Sequence, residues 1–246
     1  MFEQVDAFVR QVQGVQSEVE LSTALGDVAR EMGFAYFALT HHVDLRAASG
    51  PAIRCANYPD EWVEYFDTNR LGLSDPVHRA AHVTSIGFEW SRLPSLIRLT
   101  AKDEKVLALA ASRGIGDGFT VPANVPGESN GSCSFAMRHG TPLRDAQLPA
   151  AQLVGAFAFE AARRVWRMRE GPLARPMLTD RQRDCVILAA RGKTDWEIAT
   201  ILGLSPETVV QYLKRARERY GASKRTLLTI QALFDGTISF ADILRR

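Results

Sequence analysis

The sequence predicts an α+β protein in two parts: an N-terminal domain in which helices flank a mostly antiparallel sheet, and an all-α C-terminal domain. Three observations predict this organisation. Helical and strand-like patterns alternate over residues 1–170. Only helical patterns follow over residues 177–246. The stretch 171–176 between them is rich in Gly and Pro, which interrupt helices, so we place a linker there.

The N-terminal elements follow from hydrophobic periodicity. Apolar residues at helical spacing predict helices over about residues 3–13, 18–32, 60–69, 101–113 and 146–169. Short segments rich in aromatic and β-branched residues predict strands over residues 34–41, 52–58, 118–123 and 131–137. Residues 1–130 lack the cluster of acids that would bind Mg²⁺ and accept a phosphoryl group, which excludes a phosphorylated receiver domain.

Composition limits the class of protein. With 46% hydrophobic and 24% charged residues, the chain suits domains with buried cores and is not disordered. No apolar run approaches the roughly 20 residues of a membrane span, and the N-terminus lacks a signal-peptide pattern. We therefore expect a cytoplasmic protein without membrane contact. Cys55, Cys133 and Cys185 are far apart and without paired spacing, which predicts reduced, packed thiols.

The C-terminal segment contains several sequence patterns that are typical of helix caps. Thr179 with Gln182 forms one capping box and Thr194 with Glu197 another, so each pair should begin a helix. Ser205, followed by proline at the first helical position, begins a third helix that runs toward residue 220. Two short helices joined by a tight turn form a helix-turn-helix.

The third C-terminal helix has two faces. Val209, Leu213 and Ala216 form an apolar stripe that should pack on the preceding helix. Polar and basic side chains point outward, where they could meet a DNA major groove or its phosphates, although a merely solvated basic helix is the alternative. The candidate DNA-binding residues are Lys193, Thr194, Thr208, Val210, Gln211, Lys214, Arg215 and Arg217.

Charge supports a polyanionic partner for this segment. Residues 177–246 contain 12 Lys and Arg against 8 Asp and Glu, whereas residues 1–176 contain 18 against 20. The positive excess that double-stranded DNA would attract is therefore confined to the C-terminal domain.

Residues 178–238 resemble the LuxR-type helix-turn-helix. The succession LT, aliphatic run, GKT, EIA, LGLS, TV and basic helix is present here. Gln182 and Asp184 stand where that family usually has Glu, and Val186 where it usually has Leu. The resemblance implies that Lys224–Phe234 forms a homodimer contact. A dimer would place two recognition helices about 34 Å apart, over a palindromic operator.

A cluster of aromatic residues surrounds one acid in the N-terminal domain. Tyr58, Trp62, Phe66, Phe88 and Trp90 lie on either side of Asp75 along the chain. Aromatic side chains near a few polar groups are typical of a small-molecule pocket. Asp75 also precedes Pro76, and an acid in that place is a common helix cap, so a purely structural role stays open.

Residues 15–165 are similar to the autoinducer-binding domain of LuxR-type quorum-sensing receptors. Trp62, Asp75, Pro76, Trp90 and Gly118 fall on that family's signature, with the spacing between both Trp residues and the acid kept. The resemblance implies an α/β/α sandwich and an N-acyl-homoserine lactone as ligand, without a further cofactor.

The resemblance also implies roles for polar residues. Asp75 would accept a hydrogen bond from the amide N–H of the lactone, and Trp62 would donate to the lactone carbonyl. Tyr58 and Ser134 would donate to the acyl carbonyl. These assignments match the chemistry of such a ligand, which offers one N–H and two carbonyls on an apolar molecule.

The apolar positions concern the rest of the ligand. Trp90 would pack against the lactone ring, and Val106 and Leu107 would line the path of the acyl chain. Phe66 stands where the family commonly has Tyr, and Val106 and Leu107 stand where it often has aromatic residues. Smaller side chains here favour a long or bulky acyl chain.

Three further motifs do not carry function in this context. Residues 127–131 match G-x-S-x-G but precede a strand, so we predict a hairpin loop instead of a nucleophile. Residues 114–119 match only part of a dinucleotide fingerprint and precede a strand. Adjacent His41 and His42 point to opposite faces of a strand and cannot readily share a metal. We predict no catalytic residue and no metal site.

The sequence therefore predicts a ligand-responsive, DNA-binding regulator of quorum sensing that acts as a dimer. Three alternatives stay open at this point. The chain could be a receptor for a different small molecule on the same scaffold, an enzyme with an appended DNA-binding module, or a DNA-binding regulator that ignores ligands.

Overall fold

The computed structural model describes residues 2–43, 52–126, 128–170 and 176–244. The chain forms two compact units, the first built mainly from residues before 172 and the second mainly from residues after it. The predicted linker at 171–176 lies almost entirely outside the described residues, so its limits stay a prediction.

A five-stranded antiparallel sheet forms the centre of the first unit. The strands are β1 (Tyr36–His41), β2 (Arg54–Ala56), β3 (Phe88–Glu89), β4 (Ile115–Ala123) and β5 (Gly131–Arg138), in the order β2-β1-β5-β4-β3. Every neighbouring pair is antiparallel, which confirms the predicted sheet type. The long strand β5 is paired on both sides and lies at the centre of the sheet.

Helices cover both faces of this sheet. On one face lie α1 (Phe2–Gln13), α2 (Glu18–Glu31) and α7 (Leu148–Glu170), which bury the larger hydrophobic core together with the strands. On the other lie α3 (Asp60–Thr68), α4 (Pro76–Ala81), α5 (Leu93–Leu96) and α6 (Ala101–Ser112), over two smaller clusters. The α/β/α sandwich implied by the family resemblance is therefore confirmed.

Several predicted boundaries need correction. The strand predicted at 52–58 is only three residues long, and the short helices α4 and α5 and the two-residue strand β3 were not predicted. Residues 114–119 do not precede a strand, because β4 already begins at Ile115 and its register shifts between Ile115 and Gly118. Glycines there weakened the strand pattern in the sequence.

The second unit consists of α8 (Asp180–Ala190), α9 (Asp195–Leu202), α10 (Pro206–Tyr220), α11 (Arg225–Phe234) and α12 (Phe240–Leu244). Both predicted capping boxes are present, with the Thr179 hydroxyl accepting from the Gln182 N–H and Thr194 from Glu197. Gly203, at φ 65°, ends α9 in the left-handed conformation that glycine tolerates best. The helix-turn-helix of α9 and α10 is thus fixed by local signals.

The apolar stripe of α10 is buried as predicted. Val209 and Ala216 are fully enclosed, and they pack in one cluster with Ile198 and Ala199 of α9. Because this stripe holds the two helices together, the opposite face of α10 is left to solvent. None of the helices in the described part of the chain combines the length and apolar character needed to cross a membrane.

Candidate ligand pocket and nucleic-acid interface

A cavity of about 50 Å³ lies between the sheet and the helices α3, α4 and α6. A second cavity of about 60 Å³ adjoins it toward β1 and β2, and the two share several wall residues. The shared walls are Ala38, Tyr58, Trp62, Phe66 and His78. A ligand that occupied both volumes would therefore contact these five side chains.

The structure brings most of the predicted ligand-binding residues to the first cavity. The predicted residues that line it are Tyr58, Trp62, Phe66, Asp75, Trp90, Val106, Leu107 and Ser134. They come from α3, α6, β5 and the connections between elements, so residues distant along the chain converge on one volume. Polar atoms are few among mostly apolar walls, as expected for a pocket that orients an apolar ligand.

Asp75 has one carboxylate oxygen committed to the protein. Oδ1 accepts hydrogen bonds from the backbone N–H groups of Val77, at 2.9 Å, and His78, at 3.1 Å, so Asp75 caps α4. No described residue donates to Oδ2, although the side chain is buried. Both interpretations of Asp75 are therefore compatible: one oxygen caps the helix and the other is available to a ligand.

Tyr58 carries a phenol that stays protonated. Burial is the main reason that its pKa is raised, and the nearby Asp75 carboxylate raises the pKa further. The hydroxyl consequently remains a hydrogen-bond donor at any physiological pH. A donor beside a free carboxylate oxygen presents the pair of groups that an amide requires, since its carbonyl accepts and its N–H donates.

Ser134 belongs to a short hydrogen-bonded chain. The indole N–H of Trp90 donates to the Thr120 hydroxyl at 2.8 Å, and the Thr120 and Ser134 hydroxyls are also 2.8 Å apart. Thr120 and Ser134 face each other across β4 and β5. If the Thr120 hydroxyl donates to Ser134, the Ser134 hydroxyl remains available as a hydrogen-bond donor to a ligand carbonyl.

Aromatic contacts hold the wall between the two cavities. Trp62 meets Phe66 edge-on at 6.1 Å between ring centroids, and Phe66 meets His78 edge-on at 5.6 Å. His78 in turn stacks on His42 at 3.8 Å. These edge-on and stacked contacts favour one defined wall over a loosely packed one.

Three predicted contact residues lie outside the lining. Pro76 is the first residue of α4, and Phe88 is buried in the neighbouring apolar cluster. A Cβ atom on Gly118 would come within 2.8 Å of the Trp90 ring and 2.7 Å of the Phe135 carbonyl oxygen, so glycine is what lets the indole lie against β4. All three support the residues that line the cavity, and direct ligand contact by them stays a prediction.

Sequence reasoning missed other lining residues. They are Ala38, Val77, His78, Ala110 and Ile115 in the first cavity and Thr40, Arg54, Ala56 and Val63 in the second. His78 could have been found, because a helix capped by Asp75 places the residue three positions later beside the cap. Whether Ala38 and Thr40 face the pocket depends on the orientation of β1. That orientation is set by the pairing of β1 with β5.

The second unit presents the predicted basic face. On α10, the side chains of Val210, Gln211, Lys214 and Arg215 are exposed. Among the described residues, none pairs with the side chains of Gln211 or Lys214, which leaves their polar groups free for another molecule. This face lies opposite the buried stripe. It is the face through which a recognition helix would contact bases.

The remaining predicted DNA contacts already have protein partners. Lys193 forms an ion pair with Glu197 at 3.2 Å, and the Thr194 hydroxyl caps α9. The Thr208 hydroxyl lies 3.1 Å from that of Ser205, and Arg217 donates to the Ser223 carbonyl at 3.4 Å. Contacts from these residues to phosphates would compete with, or add to, the existing ones, and they stay predictions.

The other motifs have structural positions. In G-x-S-x-G, Gly127 lies outside the described residues, and Ser129 belongs to the connection between the paired strands β4 and β5. His41 packs against Phe159, whereas His42 is buried against His78. The three cysteines are buried and free.

Comparisons with known proteins cover both units. Residues 17–162 match the family described as autoinducer binding domain, and residues 176–232 match the bacterial regulatory proteins of the luxR family. The chain is 29% identical over 210 residues to the transcriptional activator protein AhyR of Aeromonas hydrophila, covering 83% of this chain and 80% of AhyR. It is 31% identical over 195 residues to the quorum sensing-dependent transcriptional regulator RpaR of Rhodopseudomonas palustris, covering 78% of each.

Solved structures share the fold. A crystal structure of Escherichia coli SdiA matches with a TM-score of 0.69 at 20% identity, covering 99% of both chains. SdiA in complex with octanoyl-rac-glycerol matches with a TM-score of 0.68 at 21% identity, covering 97% of this chain and 96% of SdiA.

Proposed function

The chain belongs to the luxR family of autoinducer-binding transcription regulators, and from this premise we propose that its autoinducer is an N-acyl-homoserine lactone held in the cavity around Asp75. In this proposal the protein binds the lactone without turning it over. Bound lactone favours a homodimer that contacts a palindromic operator, and the protein acts in the cytoplasm, where that DNA is.

The available Oδ2 of Asp75 carries the ligand proposal. Asp75 is buried, and an oxygen of a buried carboxylate that lacks a donor among the described residues favours a ligand N–H, because leaving a charged acceptor unpaired is costly. Tyr58 and Ser134 supply hydroxyl donors near it, and the indole N–H of Trp62 has no partner among the described residues. One acceptor and several donors match the amide N–H and two carbonyls of an acyl lactone.

The apolar walls fit the rest of such a molecule. Trp90 offers an indole face beside the polar groups, held in place by its bond to Thr120. Val106 and Leu107 continue the wall along α6, where an acyl chain would run. Because the second cavity adjoins the first across Tyr58 and Phe66, a longer chain has a place to extend.

Mass spectrometry tests the proposed ligand class directly. The full-length protein is expressed beside a panel of acyl lactones with different chains, purified, and analysed for the small molecule that copurifies. We expect one or a few lactones to be enriched at one molecule per protein chain. Enrichment of a different class of molecule, or of none, would contradict the proposal.

An acyl glycerol is the second candidate ligand. SdiA, which shares this fold, is known in a complex with octanoyl-rac-glycerol, so the scaffold accepts an acyl chain on a polar head without an amide. Such a ligand offers hydroxyl donors to Asp75 in place of an N–H. The same mass spectrometry experiment distinguishes the two classes, since an acyl glycerol contains no nitrogen.

The proposed dimer uses α11 and the proposed operator contact uses α10. Leu227, Ile230 and Phe234 of α11 are exposed apolar residues on one helix, which a second copy could cover. Pairing of two such units would present two copies of α10 to successive major grooves.

We expect Lys214→Ala to weaken operator binding about 5- to 10-fold, as loss of one charged contact to DNA typically does. The measurement is fluorescence anisotropy with a duplex that the wild-type protein selects from a random library. If Lys214 contacts a phosphate, the slope of log affinity against log salt should fall by about one. If it contacts a base, discrimination between duplexes should fall instead.

Lys102→Ala is the matched control for that experiment. Lys102 is an exposed lysine on α6 of the first unit, so its removal changes net charge equally without touching α10. We expect Lys102→Ala to bind the operator as the wild type does. An equal loss in both variants would show that Lys214 acts only through net charge.

A further inference from the structure

His78 is a buried polar residue on the pocket wall, and none of the proposed hydrogen bonds to the ligand involves it. It lines both cavities from the first turn of α4, immediately beside the Asp75 carboxylate. Its ring is fixed by stacking on His42 and by the edge contact with Phe66. A polar ring held in one orientation on a mostly apolar wall is suited to select among ligands.

The hydrogen bond from the His78 ring to the protein identifies one ring nitrogen that carries a hydrogen. Nδ1 lies 2.9 Å from the carbonyl oxygen of Gly72, which can only accept, so Nδ1 carries the hydrogen. In the neutral ring Nε2 therefore has a lone pair and acts as an acceptor. In this tautomer the ring presents an acceptor at its other nitrogen.

Nε2 is open to the cavities. No described residue forms a hydrogen bond with it, and it is not among the described side-chain atoms that are fully enclosed without a partner. Since His78 borders both cavities, we infer that the accessible surface of Nε2 belongs to the pocket. A ligand hydroxyl that reached Nε2 would complete the hydrogen bonding of the ring.

We propose that His78 selects acyl lactones with a hydroxyl group on the β-carbon of the acyl chain. This inference rests on the proposed function, because it assumes that the lactone amide binds Asp75. His78 and Asp75 line the same cavity, and the backbone N–H of His78 donates to Asp75 Oδ1, so His78 lies next to the proposed amide site. A β-substituent is only a few bonds from the amide nitrogen and therefore lies within reach of a neighbouring side chain.

The acceptor character of Nε2 predicts an order of affinity. A β-hydroxyl donates a hydrogen bond to Nε2, whereas an unsubstituted chain leaves the nitrogen unpaired. A β-oxo group places the lone pair of its oxygen against the lone pair of Nε2, which is unfavourable. At equal chain length, the β-hydroxyacyl lactone binds most tightly, the unsubstituted one less tightly and the β-oxoacyl lactone least tightly.

Competition on the full-length protein tests this order. Purified protein is incubated with an equimolar mixture of the three lactones at one chain length, and the bound fraction is quantified by mass spectrometry. The wild type should retain the β-hydroxyacyl form about 3- to 10-fold over the unsubstituted form, the range expected for one neutral hydrogen bond. Equal retention of the three forms would overturn the role of His78.

Two variants and a control link the preference to His78. His78→Phe keeps an aromatic ring on His42 but removes the acceptor, so the preference should vanish. His78→Gln keeps an acceptor oxygen and should retain part of the preference. This second variant keeps the test decisive if His78→Phe fails to fold. His139→Gln alters an exposed histidine that lines neither cavity and should leave the preference unchanged.

The outcomes separate this inference from the proposed function. If the wild type and His78→Phe retain lactones in the same proportions, His78 does not select the ligand, although lactone binding stands. If no lactone is retained by any form of the protein, the proposed function fails and the inference fails with it.

Discussion

Asp75→Asn should lower the affinity for the acyl lactone about 100-fold while leaving the free energy of unfolding nearly unchanged. A hydrogen bond to a charged group contributes about 1.5–3 kcal/mol, which corresponds to roughly 10- to 150-fold in affinity. The effect should lie toward the upper end, because the substitution also turns an acceptor into a donor that faces the ligand N–H.

The two oxygens of Asp75 explain why folding and binding separate. Asn caps helices as well as Asp does, so its side-chain oxygen can still accept from the N–H groups of Val77 and His78. The amide nitrogen must then take the position of Oδ2, which is the oxygen without a donor among the described residues. The helix cap survives and the ligand acceptor is lost.

Asp60→Asn is the matched control for Asp75→Asn. Asp60 is an exposed acid at the start of α3 in the same unit and does not line either cavity. Both variants are titrated with the lactone identified by copurification and unfolded in urea. If Asp75→Asn keeps wild-type affinity, Asp75 is only a helix cap, and the proposed lactone site is wrong.

The second unit could be predicted almost completely from sequence because its structure is set by local signals. Capping boxes at Thr179 and Thr194, the left-handed Gly203 and the Ser205 cap each act within a few residues. The buried stripe of α10 follows from helical spacing alone. The short α12 escaped prediction, since it lacks a comparable pattern.

The pocket was only partly predictable because its walls depend on pairing between distant strands. Trp62, Asp75 and Trp90 were identified through the aromatic cluster around one acid and through a family resemblance, and not through periodicity. Thr120 acquires its role because the register of β4 and β5 sets it opposite Ser134. No local pattern specifies such a register, which follows from the sheet as a whole.

Asp75 shows how two interpretations of one residue can both hold. Sequence reasoning set a helix cap and a ligand acceptor against each other as alternatives. The structure uses one oxygen for the cap and leaves the second unpaired among the described residues. A carboxylate has enough lone pairs for both roles, so a structural function does not exclude a binding function.

Lowering the pH from 7 to 5 should reduce the free energy of unfolding by about 2 kcal/mol through His42 alone. Burial is the largest cause of a strongly lowered pKa at His42, and the neighbouring histidines 78, 82 and 41 lower it further. Both ring nitrogens are engaged, Nδ1 with His82 Nε2 at 2.8 Å and Nε2 with the Ser132 hydroxyl at 2.9 Å. The folded protein therefore keeps this ring neutral.

The sign of the effect follows from proton binding in the two states. Unfolded His42 has an ordinary pKa of about 6.5 and takes up a proton below that pH, whereas the folded protein does not. The unfolded state then binds more protons, so stability falls as the pH decreases below about 6.5 and is constant with respect to His42 above it. The limiting slope is about 1.4 kcal/mol for each pH unit.

Urea unfolding of the full chain at both pH values, followed by tryptophan fluorescence, measures this loss. His42→Gln should be less stable than the wild type at pH 7, because the buried ring is lost, but its further loss at pH 5 should be about 2 kcal/mol smaller. His139→Gln, which alters an exposed histidine, should show the full wild-type loss. An undiminished loss in His42→Gln would show that protonation of other groups causes the acid sensitivity, and that His42 contributes no part of it.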